Sequence, residues 1–347
     1  MSGEGQEAYP QRAPRAGRPP HADQLPYAKR PVRAEQVPHL TPSAARSPHA
    51  EQVPYTSPYA SRSPYASPSP YADRALRHVG SLSAGGPLDP RLRVTLNFHP
   101  DRTAGGRTVL RALAEDGTYH SQFVTGTSNG GLTAHPGGDR WAWESRIFAG
   151  AYDDAPAHAR PVYGALNFRG RPTGGAPRFG SAHFRLTAAV LPRATFCYPD
   201  SFFEPSDFGV AAAMSLIELA LADGKDALDD YIEAQVHGPV AVDRHHVEAL
   251  VLDPGYRGTE VEADARRLGC PVEWHPGFRL SVEELRRHPE YRGPEFVALG
   301  AEIAVDGHLD PRVIGDAART GRHYEQALKR VWHCVARYGA PPDPVSA

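Results

Sequence analysis

The feature that most limits how this chain can fold is the composition of its first 88 residues, which contain no Ile, Phe or Trp. Pro, Ser, Ala and Tyr dominate this segment instead. It therefore buries too little apolar surface to offset the conformational entropy that folding removes. The sequence predicts a disordered arm over residues 1–88, followed by a single α+β domain over residues 89–340.

The arm repeats a short Pro-Tyr-Ala unit at irregular intervals, as in Ser57-Pro-Tyr-Ala60, Ser63-Pro-Tyr-Ala66 and Ser69-Pro-Tyr-Ala72. The spacing is too short and too variable for a solenoid, so we expect local polyproline conformation. The arm holds ten Lys or Arg and six Asp or Glu residues, a net charge of +4 in a chain whose total is −2. Positive charge among tyrosines suits single-stranded nucleic acid, an anionic surface or another partner, and a plain solubilising tether is the alternative.

The sequence also bears on the compartment in which the protein works. The N-terminus lacks the apolar run of a signal peptide, and the longest apolar stretch, residues 210–222, contains a Ser and a Glu. Cys197, Cys270 and Cys334 are too few and too scattered for a disulfide framework. We therefore expect no membrane span, and a protein that is cytoplasmic or is exported without a cleaved signal peptide.

Short runs of β-branched and aromatic residues, bounded by Gly and Pro, dominate the domain. They predict strands at residues 93–98, 119–124, 178–186, 194–198, 231–240 and 247–252, a strand or tight loop at 160–168, and helices at 108–115, 143–148 and 210–222. The last two strands are expected to pair, because a short connection joins them. The pattern predicts a bent or split, mainly antiparallel sheet with flanking helices and a helical C-terminal part.

The strand at residues 231–240 carries the strongest candidate site. Its polar residues Glu233, Gln235 and His237 alternate with apolar ones and share one face. Such a face is ordinarily the solvated side of an antiparallel sheet, which is the plain alternative. As a site, Glu233 beside Gln235 could orient a ribose hydroxyl and stabilise an oxocarbenium-like centre, the electrostatic task of glycosyl transfer.

A second group of candidates lies where the strand at residues 93–98 ends. His99 is followed by Asp101 and Arg102, and it could bind a ribose, transfer a proton or simply cap the turn. Arg102 and Arg178 offer guanidinium groups that could hold a pyrophosphate bidentately. Together with Glu233 these residues suit a dinucleotide.

Metal-dependent chemistry is a separate possibility. The histidines never show the His-x-x-x-His spacing of a zinc site, so we expect no metal set that is local in sequence. A set from distant segments, formed by His99, Asp101, His237 and Asp200, stays open, and it would suit a metal-dependent hydrolase of a phosphorylated or nucleic-acid substrate.

Several segments together resemble a bacterial family defined by domain of unknown function 3626. They span about residues 91–278, and the motifs that carry the resemblance are Asn97-Phe-His-Pro-Asp-Arg102, residues 122–131, Tyr163-Gly-Ala-Leu-Asn167, Pro177-Arg-Phe-Gly-Ser181, residues 195–201 and Val236-His-Gly-Pro239. The family name implies no activity.

A weaker resemblance is to ADP-ribosyltransferase-like toxin domains. In that superfamily a first-strand His or Arg binds NAD, a middle strand supplies Tyr or Ser, and a later strand carries a Glu. His99 is similar to the first element and Glu233 to the last, while Thr127-Ser128, Tyr163 or Tyr152 could stand for the middle one. The chain departs from the common Glu-x-Glu or Gln-x-Glu arrangement, because the carboxylate of Glu233-x-Gln235 comes first.

This resemblance implies an ADP-ribosyltransferase-like fold and an enzyme that consumes NAD as a substrate by cleaving its nicotinamide–ribose bond. His99 would hold the nicotinamide ribose, Arg102 or Arg178 the pyrophosphate, and Glu233 with Gln235 would promote cleavage. Loops at Thr127-Ser128 and Asp200-Ser201, with Tyr163, would complete the pocket. A macromolecule, either protein or nucleic acid, or else water would accept the ADP-ribose group. The remaining alternative is an inactive binding module whose arm recruits a partner.

Overall fold

The computed structural model describes residues 69–104, 106–126 and 133–341 of the chain. In chain order the strands are β1 (Val94–Phe98), β2 (Thr103–Ala104), β3 (Arg107–Thr108), β4 (Thr118–Tyr119), β5 (Val162–Leu166), β6 (Ala182–Leu186), β7 (Ala194–Tyr198), β8 (Asp207–Val210), β9 (Ile232–Val236), β10 (Val240–Ala241), β11 (Val247–Leu252), β12 (Val272–Trp274), β13 (Leu280–Ser281) and β14 (His308–Leu309). The α-helices are α1 (Pro70–Leu82), α2 (Val109–Asp116), α3 (Gln122–Thr125), α4 (Asp139–Ile147), α5 (Leu216–Asp223), α6 (Glu260–Ala265), α7 (Val282–Leu285), α8 (Pro289–Arg292), α9 (Pro294–Ile303), α10 (Pro311–Arg319) and α11 (Glu325–Tyr338). Short 3-10 helices lie at Ala157–Ala159, Pro177–Phe179, Ala188–Arg193, Ser201–Phe203 and Pro254–Tyr256.

Eight strands form the main sheet, in the order β12-β11-β6-β1-β5-β9-β7-β8. Every neighbouring pair is antiparallel except β11 and β12, which run parallel. The expected α+β class and mainly antiparallel sheet are confirmed. The hydrogen-bonded pairing is continuous from β12 to β8, so the sheet is not split.

The expected pairing of β9 with β11 is wrong. Strand β9 lies between β5 and β7, and β11 lies between β6 and β12. Both edges of β9 are therefore occupied, and the chain pairs β10 with β4 before it reaches β11. A short connection makes neighbours only when an edge is free to accept the returning strand.

One face of the sheet is apolar and packs on three helices. Residues that are cross-strand partners on this face include Leu96 with Phe184, and Ala234 with Phe196. They belong to the largest core cluster, which also contains side chains of α2, α5 and α6, namely Leu110, Leu113, Leu216, Ala220, Val261 and Ala265. This layer buries the apolar face of each central strand, because every second side chain of a strand points to the same face.

The opposite face is polar, and in the middle of the sheet it is also buried. In register across β1, β5, β9 and β7, Thr95 faces Ala165, Ala165 faces Glu233, and Glu233 faces Cys197. All five residues of β9 are buried. The interpretation of this face as the solvated side of the sheet is therefore wrong, because protein covers it.

Helix α1 supplies part of that cover, which corrects the predicted arm. The composition predicts disorder through residue 88, yet Pro70–Leu82 form a helix that buries Ala72, Ala75 and Val79. The last Ser-Pro-Tyr-Ala unit begins this helix, because the Ser69 hydroxyl accepts a hydrogen bond from the Ala72 amide and Pro70 occupies the first turn. Residues 1–68 lie outside the described part of the chain.

Two other predicted elements differ in type. The strand expected at residues 119–124 is the two-residue β4 followed by helix α3, and the helix expected at 210–222 begins only at Leu216, after β8. Residues 119–124 contain His120, Ser121 and Gln122 between their apolar ends, so they have no clear strand period. Val210 pairs with Thr195 of β7, so the start of the second run belongs to the sheet.

The predicted helical C-terminal part is confirmed in α7 to α11. These helices surround a second core cluster that includes Leu285, Leu309, Val331, Trp332 and Val335. The Trp332 indole nitrogen donates a hydrogen bond of 3.0 Å to the Pro177 carbonyl, which fastens α11 to the turn before β6. Among the described residues, the longest and most apolar helices fall short of what is needed to cross a membrane.

The packing of α1 generates a prediction. Val79 is fully buried, whereas Leu82 on the same helix is 50 % exposed. We expect Val79→Ala to lower the free energy of unfolding by about 1–3 kcal/mol, because it leaves a cavity against the sheet. Leu82→Ala is the matched control and should cost less than about 0.5 kcal/mol in the same urea titration. Equal effects would show that α1 does not pack on the domain.

Candidate functional site

Glu233 lies at the centre of the buried polar face and is held by donors from two directions. Its Oε2 accepts hydrogen bonds from the hydroxyl and the amide of Ser201, at 2.8 and 3.3 Å. Its Oε1 accepts from the Gln235 side-chain amide at 3.1 Å. Ser201 follows β7 in the Ser201–Phe203 helix, so the two central strands β7 and β9 fix the carboxylate from both sides.

Arg140 of α4 supplies the positive charge at this carboxylate. Its Nη1 lies 3.7 Å from Glu233 Oε1 and donates a 2.8 Å hydrogen bond to the Ser201 hydroxyl. The guanidinium also lies 4.0 Å from the centre of the Tyr163 ring. Since the Arg140 side chain is only 4 % exposed, its attraction to Glu233 is little screened by water.

A chain of hydrogen bonds runs along the sheet and ends on Glu233. The Thr195 hydroxyl has one proton, which it donates to Gln235 Oε1 at 2.8 Å. In the 3.0 Å hydrogen bond with His237 Nε2, Thr195 must therefore be the acceptor. His237 Nδ1 then accepts from the Tyr152 hydroxyl at 2.7 Å. Each donor therefore points toward the next group, and Glu233 is the final acceptor.

A buried ion pair supports the helix that carries Arg140. Glu144, one turn further along α4, accepts hydrogen bonds from Arg160 Nη1 at 2.6 Å and from the Tyr163 hydroxyl at 2.8 Å. Arg160 also donates to the Tyr152 carbonyl at 2.8 Å. These contacts hold α4 against β5 and so fix the position of the Arg140 guanidinium.

Burial sets the protonation of these groups. It raises the pKa of the Glu233 carboxyl above its usual value of 4.5, while the charge of Arg140 acts in the opposite direction. Burial lowers the pKa of His237 to about 3, which agrees with the neutral tautomer required by its two hydrogen bonds. Burial also raises the pKa of the Cys197 thiol, so this cysteine stays protonated. Its sulfur accepts from the Gln235 side-chain amide at 3.5 Å and its thiol donates to Glu233 Oε1 at 4.0 Å.

The structure places His99 against the C-terminal helices. Its ring packs edge-on against Trp332 of α11, with ring centres 5.0 Å apart. Burial, followed by the charges of Arg102 and Lys329, lowers the pKa of His99 to about 3. The residue follows β1, which is separated from β9 by one strand, and Thr95, four residues earlier, is the β1 residue in line with Glu233.

The two arginines predicted to hold a pyrophosphate are engaged with carboxylates. Arg102 forms a 2.9 Å ion pair with Glu325 at the beginning of α11. Arg178 forms a close ion pair with Asp229, just before β9. Each of these two arginines therefore has a carboxylate partner other than Glu233.

The remaining predicted residues have different outcomes. Thr127 and Ser128 lie outside the described residues. Asp200 and Ser201 do join the site, because Asp200 accepts a close hydrogen bond from the Tyr231 hydroxyl and Ser201 binds Glu233. Within residues 69–104, 106–126 and 133–341, no group of three His, Cys, Asp or Glu side chains is placed to hold a metal ion, so the set of His99, Asp101, His237 and Asp200 is not assembled there.

Sequence reasoning missed the residues that complete the site. Arg140, Glu144, Arg160 and Thr195 were not candidates, although each is buried. The available signal was the pair Arg140 and Glu144, which are four residues apart on one side of a helix that also carries Trp143 and Ile147. Charged residues on the apolar side of a short helix indicate buried partners.

Comparison with known protein families gives a match over most of the domain. The family described as a protein of unknown function (DUF3626) matches residues 93–225 and 212–338, which together cover more than two thirds of the chain. This confirms the resemblance that the motifs predicted. No curated protein matches the chain.

The hydrogen-bond chain generates a prediction about stability. Thr195→Val keeps the shape of the side chain but leaves the His237 Nε2–H group and Gln235 Oε1 buried without that partner. We expect the free energy of unfolding to fall by about 2–4 kcal/mol, since each unsatisfied buried group costs about 1–3 kcal/mol. Thr187→Val is the matched control, because the Thr187 hydroxyl bonds the His245 carbonyl in an exposed position where water can replace it. Equal losses in urea unfolding would contradict the directional chain.

Proposed function

The chain belongs to the DUF3626 family, whose description assigns no activity, and we propose from its own residues that it is an NAD-consuming enzyme of the ADP-ribosyltransferase type. In this proposal it cleaves the bond between nicotinamide and ribose. The mainly antiparallel sheet, with a carboxylate on one central strand and a histidine at the end of another, is the arrangement that an ADP-ribosyltransferase-like fold would use.

The observation that carries the proposal is that Glu233 is the final acceptor of every hydrogen bond around it. Ser201 donates twice, Gln235 once and the Cys197 thiol once, and Arg140 lies 3.7 Å away. These groups favour the ionised carboxylate in a buried place. A fixed negative charge of this kind stabilises the positive charge that develops on the ribose when nicotinamide leaves with the bonding electron pair.

The supporting residues have distinct roles in this proposal. Gln235 is a positioning residue, because its amide holds Glu233 Oε1 while its own oxygen is held by Thr195. Tyr163 positions Arg140, since its ring lies under the guanidinium and its hydroxyl is tied to Glu144. His99 is the proposed contact to the nicotinamide ribose, and the 9 % of the Glu233 side chain that is exposed is where the reacting carbon would approach.

A direct assay of nicotinamide release tests the proposal. We expect purified protein to release nicotinamide from NAD, and Glu233→Gln to lower the rate at least about 100-fold, as is typical when a transition-state charge contact is removed. Glu273→Gln is the matched control, because Glu273 lies at the edge of the same sheet, is 48 % exposed and pairs with Arg185. That variant should keep the wild-type rate.

Two outcomes would contradict the proposal. The first is nicotinamide release that persists in Glu233→Gln at the rate of the Glu273→Gln control. The second is wild-type protein that neither releases nicotinamide nor binds NAD in calorimetry, which would instead favour a binding module without chemistry.

The same assay has an expected pH dependence. The reaction needs ionised Glu233, and burial raises the pKa of this carboxyl above 4.5. Activity should therefore be lost as the pH falls through this raised pKa, and the midpoint of the acidic limb of kcat/KM should lie above pH 4.5. An acidic limb centred at or below the usual glutamate pKa would show that Glu233 is not the titrating group.

A further inference from the structure

The hydroxyl of Ser201 has surroundings that go beyond holding Glu233 in place. Ser201 Oγ donates its proton to Glu233 Oε2 at 2.8 Å, and Arg140 Nη1 donates to the same serine oxygen at 2.8 Å. A hydroxyl oxygen has one proton and two lone pairs, so these two hydrogen bonds use the proton and one lone pair. Within the described part of the chain, no donor occupies the second lone pair.

Glu233 is placed as a base for this hydroxyl. A nucleophilic serine needs a base within about 2.6–3.2 Å, and a third group must fix the position of that base. The 2.8 Å hydrogen bond meets the distance, and the Gln235 amide holds the other carboxylate oxygen at 3.1 Å. Burial raises the pKa of the Glu233 carboxyl above its usual value of 4.5, which makes the ionised form a stronger base.

Arg140 favours the charge that the serine oxygen would carry during an attack. When Ser201 gives up its proton, negative charge develops on Oγ, and the guanidinium already donates to that atom. Because the Arg140 side chain is buried, water screens this attraction little. The hydrogen bond therefore becomes a charge-assisted one as the serine reacts.

Another serine–carboxylate pair in the domain lacks this combination. Ser145 of α4 donates to Asp153 Oδ2 at 3.0 Å, and both residues are half-buried. Among the residues that the structure describes, no arginine donates to the Ser145 hydroxyl. Ser145 thus has a carboxylate alone, whereas Ser201 has a carboxylate held by an amide and a cation on its own oxygen.

Ser201 also lies where the candidate site approaches the surface. It begins the 3-10 helix Ser201–Phe203, directly after β7 and Asp200. Ser201 itself is 4 % exposed, whereas the next residue, Phe202, is 49 % exposed. A reacting carbon that approaches the exposed part of Glu233 therefore comes near Ser201 Oγ, which is 2.8 Å from the carboxylate.

We propose that Ser201 is a catalytic nucleophile with Glu233 as its general base, so that the reaction proceeds by two displacements through a covalent intermediate on Ser201. The assignment of NAD as the substrate rests on the proposed function, whereas the reactivity of the Ser201 hydroxyl does not.

The two displacements balance in atoms and charge. In the first, the bond between ribose and nicotinamide breaks, and its electron pair leaves with nicotinamide. A lone pair of Ser201 Oγ forms a bond to the ribose carbon, and the Ser201 proton moves to Glu233 Oε2. In the second, the oxygen of an acceptor hydroxyl or of water attacks the same carbon, the bond to Oγ breaks, Glu233 returns the proton to Oγ, and the acceptor proton goes to solvent.

A fluorophosphonate probe tests the reactivity of Ser201 without NAD. Attack by a serine oxygen on phosphorus expels fluoride, and tandem mass spectrometry identifies the labelled residue. We expect full-length protein to be labelled at Ser201, and Glu233→Gln to slow labelling at least about 100-fold, since a general base contributes about 10²–10⁴-fold. Glutamine keeps an acceptor for the serine hydroxyl but cannot take its proton. Thermal unfolding checks that the variant is folded.

Ser145 is the internal control of the labelling experiment. It is more exposed than Ser201 and also bonds a carboxylate, so it should stay unlabelled if activation and not access decides the reaction. Absence of label at Ser201, equal labelling rates in the wild type and Glu233→Gln, or equal labelling of Ser145 and Ser201 would each overturn the proposal.

The configuration of the product gives a second readout that a purely structural role of Ser201 would not move. Two displacements invert the ribose carbon twice, so with NAD as donor and methanol as acceptor the product should retain the configuration of NAD. Nuclear magnetic resonance distinguishes this product from the inverted one that direct attack gives. An inverted product would overturn the covalent role of Ser201 and leave the proposed function intact. Labelling of Ser201 without any nicotinamide release would instead contradict the proposed function and support the reactive serine.

Discussion

Burying the polar face of β9 is the constraint on which the arrangement of the domain depends. A carboxylate, an amide and an imidazole on one strand face cannot be covered by apolar side chains without a large free-energy cost. The cover must instead supply a partner for each group. Helix α4 supplies Arg140, β7 supplies Thr195, the turn after β7 supplies Ser201, and Tyr152 reaches His237 from the segment after α4. The positions of α4 and β7 therefore provide hydrogen-bond partners for Glu233, Gln235 and His237.

A second constraint joins the sheet to the C-terminal helices. The turn at Pro177–Phe179 lies close to the polar end of β1, where a side chain at Gly180 would place its Cβ 2.0 Å from the Phe98 carbonyl carbon. Only glycine permits this approach. The same turn offers the Pro177 carbonyl to Trp332 and brings Arg178 to Asp229. The positions of Arg178 and of the α11 contact at Trp332 therefore depend on how closely this turn approaches the sheet.

The parts of the fold that were predictable are those fixed by local patterns. Strand β7 was predicted with its observed bounds, since a short run of aromatic and β-branched residues is followed directly by proline. The composition of the whole arm hides helix α1, although Ser69-Pro70 before the spaced Ala72, Ala75 and Val79 is a helix-start signal. In the site, strand alternation places Glu233 and Gln235 on one face, but it does not indicate Arg140, since ninety-three residues separate Arg140 from Glu233 and spacing carries no information at that distance.

By itself, the sequence determined which side chains share a face, because the two-residue period of a strand follows from backbone geometry alone. It also determined the family to which the chain belongs, through motifs spread along the domain. Only the tertiary structure decided that the polar face of β9 is buried, that Arg140 serves Glu233, and that Arg102 and Arg178 pair with Glu325 and Asp229. The physical reason is that the alternation of a strand determines which side chains share a face, but not which part of the protein covers that face. Ion pairs depend on the distance between charges in space, and the order of residues along the chain does not give that distance.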